Sequence, residues 1–258
     1  VAARGPRFAQ DRALGQYAKH RNVVGIRVIA AAAMVLIAAP ASACRLALVL
    51  ALDVSSSVDA AEDRLQRAGL AAALIDPDVL AAIMNDPAPV ALAAFEWSGR
   101  FAQAEVLGWT LLNTPADVIA AAERIATSTR SRNDLPTSMG AALGHAAVVL
   151  TRAPDCLFKT VDLAGDGINN EGFGPALAYG AFPFQNVTVN GLVVLPPDRV
   201  EAAEILTYYR REVIRGPGAF VEVAQGFEDY TRAMRRKLLR ELTSQMMGAA
   251  RALPAPAG

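Results

Sequence analysis

The feature that most constrains this chain is an apolar run that ends in oxygen. Residues 46–52, LALVLAL, are continuously apolar, and Asp53, Val54, Ser55, Ser56 and Ser57 follow at once. Unbroken apolarity, rather than alternation, is the pattern of a strand covered on both faces, and such strands lie inside parallel sheets flanked by helices. In open α/β sheets, ligands bind in the crevice outside the carboxyl ends of the strands. Asp53, Ser55 and Ser57 arrive there in D-x-S-x-S spacing, a hard oxygen set without Cys or His, which suits Mg²⁺, Mn²⁺ or Ca²⁺ rather than zinc. The same three residues are also ordinary turn and cap residues for a helix beginning near Val58, so a cation site needs further ligands from elsewhere.

Downstream, helix-like and strand-like segments alternate. Residues 59–75 read as a helix, with Ala61, Leu65, Ala68, Ala72 and Ile75 on one stripe and Asp59, Glu62 and Asp63 in the first turn. Pro77, Pro87 and Pro89 break the connector that follows around one short helical turn. Residues 90–97 read as a second buried strand, and Ser98-Gly99-Arg100 as a hairpin turn into an antiparallel edge strand over 102–109. Thr114-Pro115 opens a helix to about residue 127, and a polar loop over 128–136 leads to another helix over 137–150. Gly140, Ala141 and Gly144 predict that this helix approaches the sheet closely. Strands over 157–163, 187–195 and 219–224 follow, with a short helix through Tyr179, a helix over 199–214 and a long final helix over 225–247. The Pro/Ala-rich tail over 248–258 reads as disordered. The pattern predicts a doubly wound, Rossmann-like α/β fold: a mostly parallel six-stranded sheet of order 3-2-1-4-5-6 with helices on both faces.

Residues 1–43 have another character. Arg21 and Arg27 precede an apolar run over 28–39, and Pro40-Ala41-Ser42-Ala43 offers small residues to a signal peptidase. The run is shorter than the roughly 20 residues a spanning helix needs. We read 1–43 as an extension and a cleaved secretory signal, with an uncleaved anchor as the alternative, and 44–247 as one folded domain of an exported, periplasmic or secreted protein. The whole chain carries 25 basic and 25 acidic residues; without the six basic residues and one acidic residue of 1–43, it is left with 19 and 24. That balance argues against a nucleic-acid partner. Cys44 and Cys156 each stand before a strand-like run. If those strands are neighbours, about 4.8 Å apart, their entry points allow a disulfide. Alternatively, Cys44 is a lipidated N-terminus, since Ala41-Ser42-Ala43-Cys44 loosely resembles a lipoprotein cleavage site.

In the order 3-2-1-4-5-6 the first and fourth strands meet at the topological switch point, so Asp53 and Asp166 would face one crevice, with Thr137 in a loop on the same side. Asp53-Val54-Ser55-Ser56-Ser57, Thr137 with Gly140 and Ala142-Leu143, and Gly165-Asp166-Gly167 resemble the three ligand segments of the metal-ion-dependent adhesion site of von Willebrand factor type A domains. Glu96-Trp97-Ser98-Gly99, Asp166-Gly167-Ile168-Asn169-Asn170, Asn190-Gly191-Leu192, Gly216-Pro217-Gly218-Ala219-Phe220-Val221 and Lys237-Leu238-Leu239-Arg240-Glu241 resemble a bacterial family of exported type-A-like proteins of undefined function, DUF1194. The resemblance covers residues 44 to about 247. It implies that the hydroxyls of Ser55, Ser57 and Thr137 touch the ion, while Asp53 and Asp166 act largely through bound water. It implies too that an incompletely neutralised cation recruits a carboxylate from a partner protein. Where type A domains often carry an acid soon after the Asp-Gly, this chain has Asn169, Asn170 and then Glu171. Asn169 and Asn170, with Trp97 from the hairpin, are the candidate ligand-binding rim; core packing is the competing reading for Trp97.

Three other functions compete with a metal-dependent binding module that carries out no chemistry. A Mg²⁺-dependent phosphohydrolase would need a second acid two residues after its aspartyl nucleophile, and Ser55 stands there. A Ser-His-Asp hydrolase would have to use His145, which sits mid-helix. The other competitor is a structural or interaction protein of the envelope that binds without metal. The basic stripe Arg232, Arg235, Arg236, Lys237 and Arg240 on the final helix is either a solvated face or a surface for anionic lipid or acidic protein.

Overall fold

A computed structural model describes residues 44–252, with side chains through Thr243. The expected signal segment and residues 253–258 lie outside the described residues. Six strands form one sheet: β1 (Cys44–Asp53), β2 (Val90–Trp97), β3 (Gln103–Leu112), β4 (Cys156–Gly165), β5 (Val187–Leu195) and β6 (Val221–Gln225). Their order is β3-β2-β1-β4-β5-β6, and every pairing is parallel except that of β3, which returns antiparallel at one edge. The expected sheet is the observed one.

The helices are α1 (Ala60–Leu74), α2 (Pro77–Met84), α3 (Pro115–Ala126), α4 (Met139–Leu150), α5 (Pro175–Ala181), α6 (Arg199–Tyr208) and α7 (Tyr230–Ala252). Side chains alternate across a strand, and β1 is buried along its whole length because both faces are covered. Leu46, Leu48, Leu50 and Leu52 pack with residues of α1, α2, α3 and α7, whereas Ala47, Val49 and Ala51 pack with residues of α4, α5 and α6. Each fully buried Leu contributes about 1.5–3 kcal/mol relative to exposure. Cys44 and Cys156 face each other across the β1/β4 ladder with Cα atoms 4.5 Å apart and form a disulfide. The sulfur that lipidation of Cys44 would require is therefore taken.

Three local expectations are overturned. Helix α1 turns the predicted apolar stripe outward: Ala61, Leu65, Ala68, Ala72 and Ile75 are exposed, while Asp63, Gln66, Arg67, Leu70 and Leu74 are buried. Arg67 explains the inversion, because it donates to Asp63 at 2.9 and 3.1 Å, to Glu96 on β2 at 2.5 Å and to Ser128 at 2.6 Å. A buried charge is tolerated when it is paired and fully hydrogen-bonded. Second, Gly140 and Gly144 on α4 admit the segment beyond β4 rather than the sheet. A Cβ at Gly140 would stand 2.0 Å from the Phe173 carbonyl oxygen, and one at Gly144 would stand 2.8 Å from the Phe182 ring. Third, one member of the basic stripe of α7, Lys237, is not on a solvated face. Lys237 is wholly buried between Asp162 and Glu241, Arg232 pairs with Asp229, Arg235 with Asp76 and Asp78, and Arg236 with Glu222. Arg240 lies 3.8 Å over the Phe220 ring. The same helix continues to Ala252, past the expected end at Met247.

Candidate cation site

At the end of β1 the backbone leaves the sheet under tight control. Val54 N–H donates to the Trp97 carbonyl at 2.9 Å, Ser55 N–H turns back onto Asp53 Oδ1 at 2.7 Å, and Val58 N–H donates to the Ser55 carbonyl at 3.0 Å. Helix α1 then begins at a capping box: Asp59 accepts from the N–H groups of Ala61 and Glu62 at 2.6 and 2.9 Å, and Glu62 accepts from Asp59 N–H at 2.8 Å. Asp59, not a serine of the D-x-S-x-S segment, is therefore the cap, which leaves Ser55 and Ser57 free for other work.

Their hydroxyls face two other segments. Ser55 Oγ and Ser57 Oγ lie 3.1 Å apart, Ser57 Oγ donates to Asp166 Oδ1 at 2.8 Å, and Thr137 Oγ1 donates to Ser55 Oγ at 3.2 Å. Thr137 does not cap α4 either. Ser138 holds the cap position without a capping bond, its Oγ donating instead to the Glu171 carbonyl at 3.1 Å, and Asn169 Oδ1 accepts from Met139 N–H and Gly140 N–H at 2.8 and 3.4 Å. Asp53, Ser55, Ser57, Thr137 and Asp166 are thus brought to one place from three loops. Asp53, Ser55 and Thr137 are buried and Ser57 is exposed, so the cluster opens to solvent at Ser57 and Asp166.

The electrostatics are those of a site built around positive charge. Burial, reinforced by Asp166, pushes the Asp53 carboxyl up to about 8, and Asp166 is raised chiefly by burial as well. Asp53 Oδ2 is buried without any hydrogen-bond partner. A divalent cation satisfies such an oxygen and offsets the repulsion between the two acids. The donors present, two carboxylates and three hydroxyls, fit a hard cation. Among the described residues, no three His, Cys, Asp or Glu side chains gather as a metal cluster.

Of the expected rim, Trp97 departs, while exposed Asn170 lines the cleft beside the cluster. Trp97 is fully buried among Phe95, Met139 and Leu143, so it packs the core and offers nothing to a ligand; Phe101, four residues on at the hairpin tip, is the exposed aromatic at 93 %. Asn170 Oδ1 accepts from Thr137 N–H at 2.8 Å, and the N–H groups of Asn170 and Glu171 donate to the Thr137 carbonyl at 3.0 and 3.1 Å. Asn169 and Asn170 therefore brace Thr137 and α4. Glu171 ties off Arg100 at 3.0 Å. His145 packs against Phe95 with ring centroids 4.7 Å apart, and burial lowers its pKa.

Sequence reasoning missed Arg130 and Gln66. Arg130 donates to the carbonyls of Val58 and Val54 at 2.7 Å each and of Ser55 at 3.3 Å, pinning the ligand loop from behind. Gln66 Nε2 donates to the Asp53 carbonyl at 2.9 Å. No local pattern marks either one: Arg130 sits in an aperiodic loop and Gln66 on a helix face expected to be wet. Beside the cluster, and sharing Ser57, Thr137 and Asp166 with it, lies a cleft of about 580 Å³. Val194, Leu195, Pro196 and Ile205 supply apolar lining, and Glu62, Glu201, Glu204 and Glu228 make it acidic.

A doubly wound sheet with this strand order, and three oxygen-bearing loops at its switch point, is a fold shared with von Willebrand factor type A proteins. Residues 43–246 match the family described as "Protein of unknown function (DUF1194)", and the chain belongs to that family. No curated protein matches the chain. Among solved structures, the chain is similar to proximal thread matrix protein 1 from the mussel byssus, in a form with a zinc-occupied MIDAS motif. The identity is 19% and the TM-score 0.53, covering 79% of this chain and 49% of that one. It is similar also to a von Willebrand factor type A protein from Catenulispora acidiphila, at 16% identity, TM-score 0.52, 77% and 43% coverage. A third is BatB from Bacteroides thetaiotaomicron, a conserved hypothetical protein, at 19% identity, TM-score 0.53, 78% and 99% coverage. The chain thus spans about half the length of the byssus protein. At these identities the likeness is one of fold.

Proposed function

We propose that this chain is an exported, cation-dependent protein-binding module that carries out no chemistry of its own. The observation that supports it most is Asp53 Oδ2, buried and unpartnered beside a chain of hydroxyls and a second raised acid. Asp53, Ser55, Ser57, Thr137 and Asp166 would hold Mg²⁺, or Mn²⁺ or Ca²⁺ in its place. The ion would supply an electropositive point at the carboxyl ends of the central strands, and a carboxylate of a protein partner is the group it would attract. The acidic cleft alongside favours a partner segment with basic residues next to that carboxylate and disfavours nucleic acid.

Export is supported by the basic-apolar-small order of residues 21–43 and by the Cys44–Cys156 disulfide, a bond that persists in oxidising compartments. Among the described residues no helix is long and apolar enough to cross a membrane. Against phosphohydrolase chemistry stands Ser55, a hydroxyl where an acid would be needed, and His145 has an aromatic rather than a nucleophile beside it. The remaining rival is binding without metal.

Calorimetric titration of metal-free protein with Mg²⁺, Mn²⁺ and Ca²⁺ separates the two. We expect saturable binding of about one ion per chain, abolished by Asp53→Ala, and retention of envelope proteins on immobilised chain that chelator releases. Equal binding by wild type and Asp53→Ala would overturn the cation site and leave the metal-independent module.

A further inference from the structure

A second buried polar atom without a partner lies next to Asp53 Oδ2: the hydroxyl of Tyr209. Both residues are wholly buried. Tyr209 begins a single π-turn, Tyr209–Val213, closed where Ile214 N–H donates to the Tyr209 carbonyl at 3.1 Å. Turns of this kind are rare and gather at functional sites. Two glycines on neighbouring strands clear the space that its side chain fills. A Cβ at Gly191 on β5 would stand 2.7 Å from Tyr209 Cδ1, and one at Gly165 on β4 would stand 2.7 Å from Tyr209 Oη and 2.8 Å from Asp53 Oδ2. The two unpartnered oxygens therefore border the same point above Gly165. They are no farther apart than the sum of those two distances, a gap that a direct hydrogen bond or one bridging water closes.

Chemically the pair is matched, since a phenol donates and an ionised carboxylate, the form that takes a cation, only accepts. Asp53 Oδ1 is already held by Ser55 N–H at 2.7 Å, so an anchor on Oδ2 would fix the rotation of the carboxylate completely. We propose that Tyr209 is a positioning residue of the cation site: its phenolic O–H donates to Asp53 Oδ2, directly or through one water, and holds that carboxylate ready for the ion. The inference rests on the cation reading above. It also accounts for Gly165, where a Cβ would meet the hydroxyl itself, whereas the room at Gly191 is for ring carbons that a phenylalanine would present equally.

The test is Tyr209→Phe, which keeps the ring and removes the donor. Calorimetry with Mg²⁺ and with Mn²⁺ should show a dissociation constant raised about 10- to 100-fold, the usual effect of losing an outer-shell partner. The metal-free melting temperature should stay close to that of wild type. Tyr230→Phe is the control, because Tyr230 is equally buried and its hydroxyl equally unpartnered, but it lies on α7 beside Asp162. Its ion affinity should match wild type. Unchanged affinity in Tyr209→Phe, or equal weakening in Tyr230→Phe, would overturn the role of Tyr209 while leaving the cation site intact. Wild-type protein that binds neither ion would instead bring down the cation reading, and this inference with it.

Discussion

At the scale of the single residue, Asp53 carries a conflict that a cation or a proton must resolve. Its backbone completes β1 and accepts from Gln66, and its Oδ1 closes the turn through Ser55, yet its charge is buried near Asp166. Replacing it by asparagine keeps the Oδ1 acceptor, removes the buried charge and places an N–H₂ where Oδ2 stands beside Tyr209. Above about pH 8, where the metal-free Asp53 carboxyl is ionised, we expect Asp53→Asn to be more stable than wild type by about 1–3 kcal/mol in urea unfolding. It should also lose the rise in melting temperature that Mg²⁺ confers on wild type. An asparagine variant less stable than metal-free wild type would show that the carboxylate is already satisfied without an ion.

At the scale of the element, α1 is a bolt more than an amphipathic helix. Its apolar residues Leu70 and Leu74 do face the core, but the turn nearest the site buries Asp63, Gln66 and Arg67. Through Arg67 it grips Glu96 at the end of β2 and Ser128 after α3. Glu96 in turn accepts from Ser131 N–H at 2.6 Å, one residue from the Arg130 that pins the ligand loop. Arg67→Ala would leave Asp63 and Glu96 buried without countercharge. We expect it to cost about 3–5 kcal/mol by urea unfolding, the range for breaking one side of a buried pair. A loss below about 1 kcal/mol would mean that water enters and replaces the guanidinium. The apolar stripe misleads here because alanines tolerate solvent, whereas a paired arginine does not show its partner in the linear pattern.

At the scale of the whole molecule, the disulfide staples the two central strands at the end of the sheet remote from the site. Cys44 and Cys156 are 112 residues apart, and closing a loop of that order restricts the unfolded chain by about 4–5 kcal/mol in the entropic account. We expect the Cys44→Ser, Cys156→Ser double variant to be about 2–5 kcal/mol less stable, measured under non-reducing conditions. Its Mg²⁺ affinity should stay near that of wild type, because the ligands sit at the opposite end of β1. Loss of affinity at full folding would instead tie the staple to the register of the ligand loops.

The sequence by itself determined the sheet and brought together the candidate cation residues. Continuous apolar runs have one stable home, a strand covered on both faces, and right-handed crossovers left the order 3-2-1-4-5-6, so Asp53, Ser55, Ser57, Thr137 and Asp166 could be placed on one crevice. Those signals are local or follow from chain order. Only the tertiary structure decided the residues that serve the site from behind. Trp97 went into the core and Asn169 and Asn170 became braces, while Lys237 was drawn between Asp162 and Glu241. Gln66, Arg67 and Tyr209 took up buried polar positions near the candidate ligands, and half-buried Arg130 held their loop. In each case the deciding fact is a partner distant in sequence. A polar group's cost on burial depends on what it meets there, and no residue carries that information within its own stretch of chain.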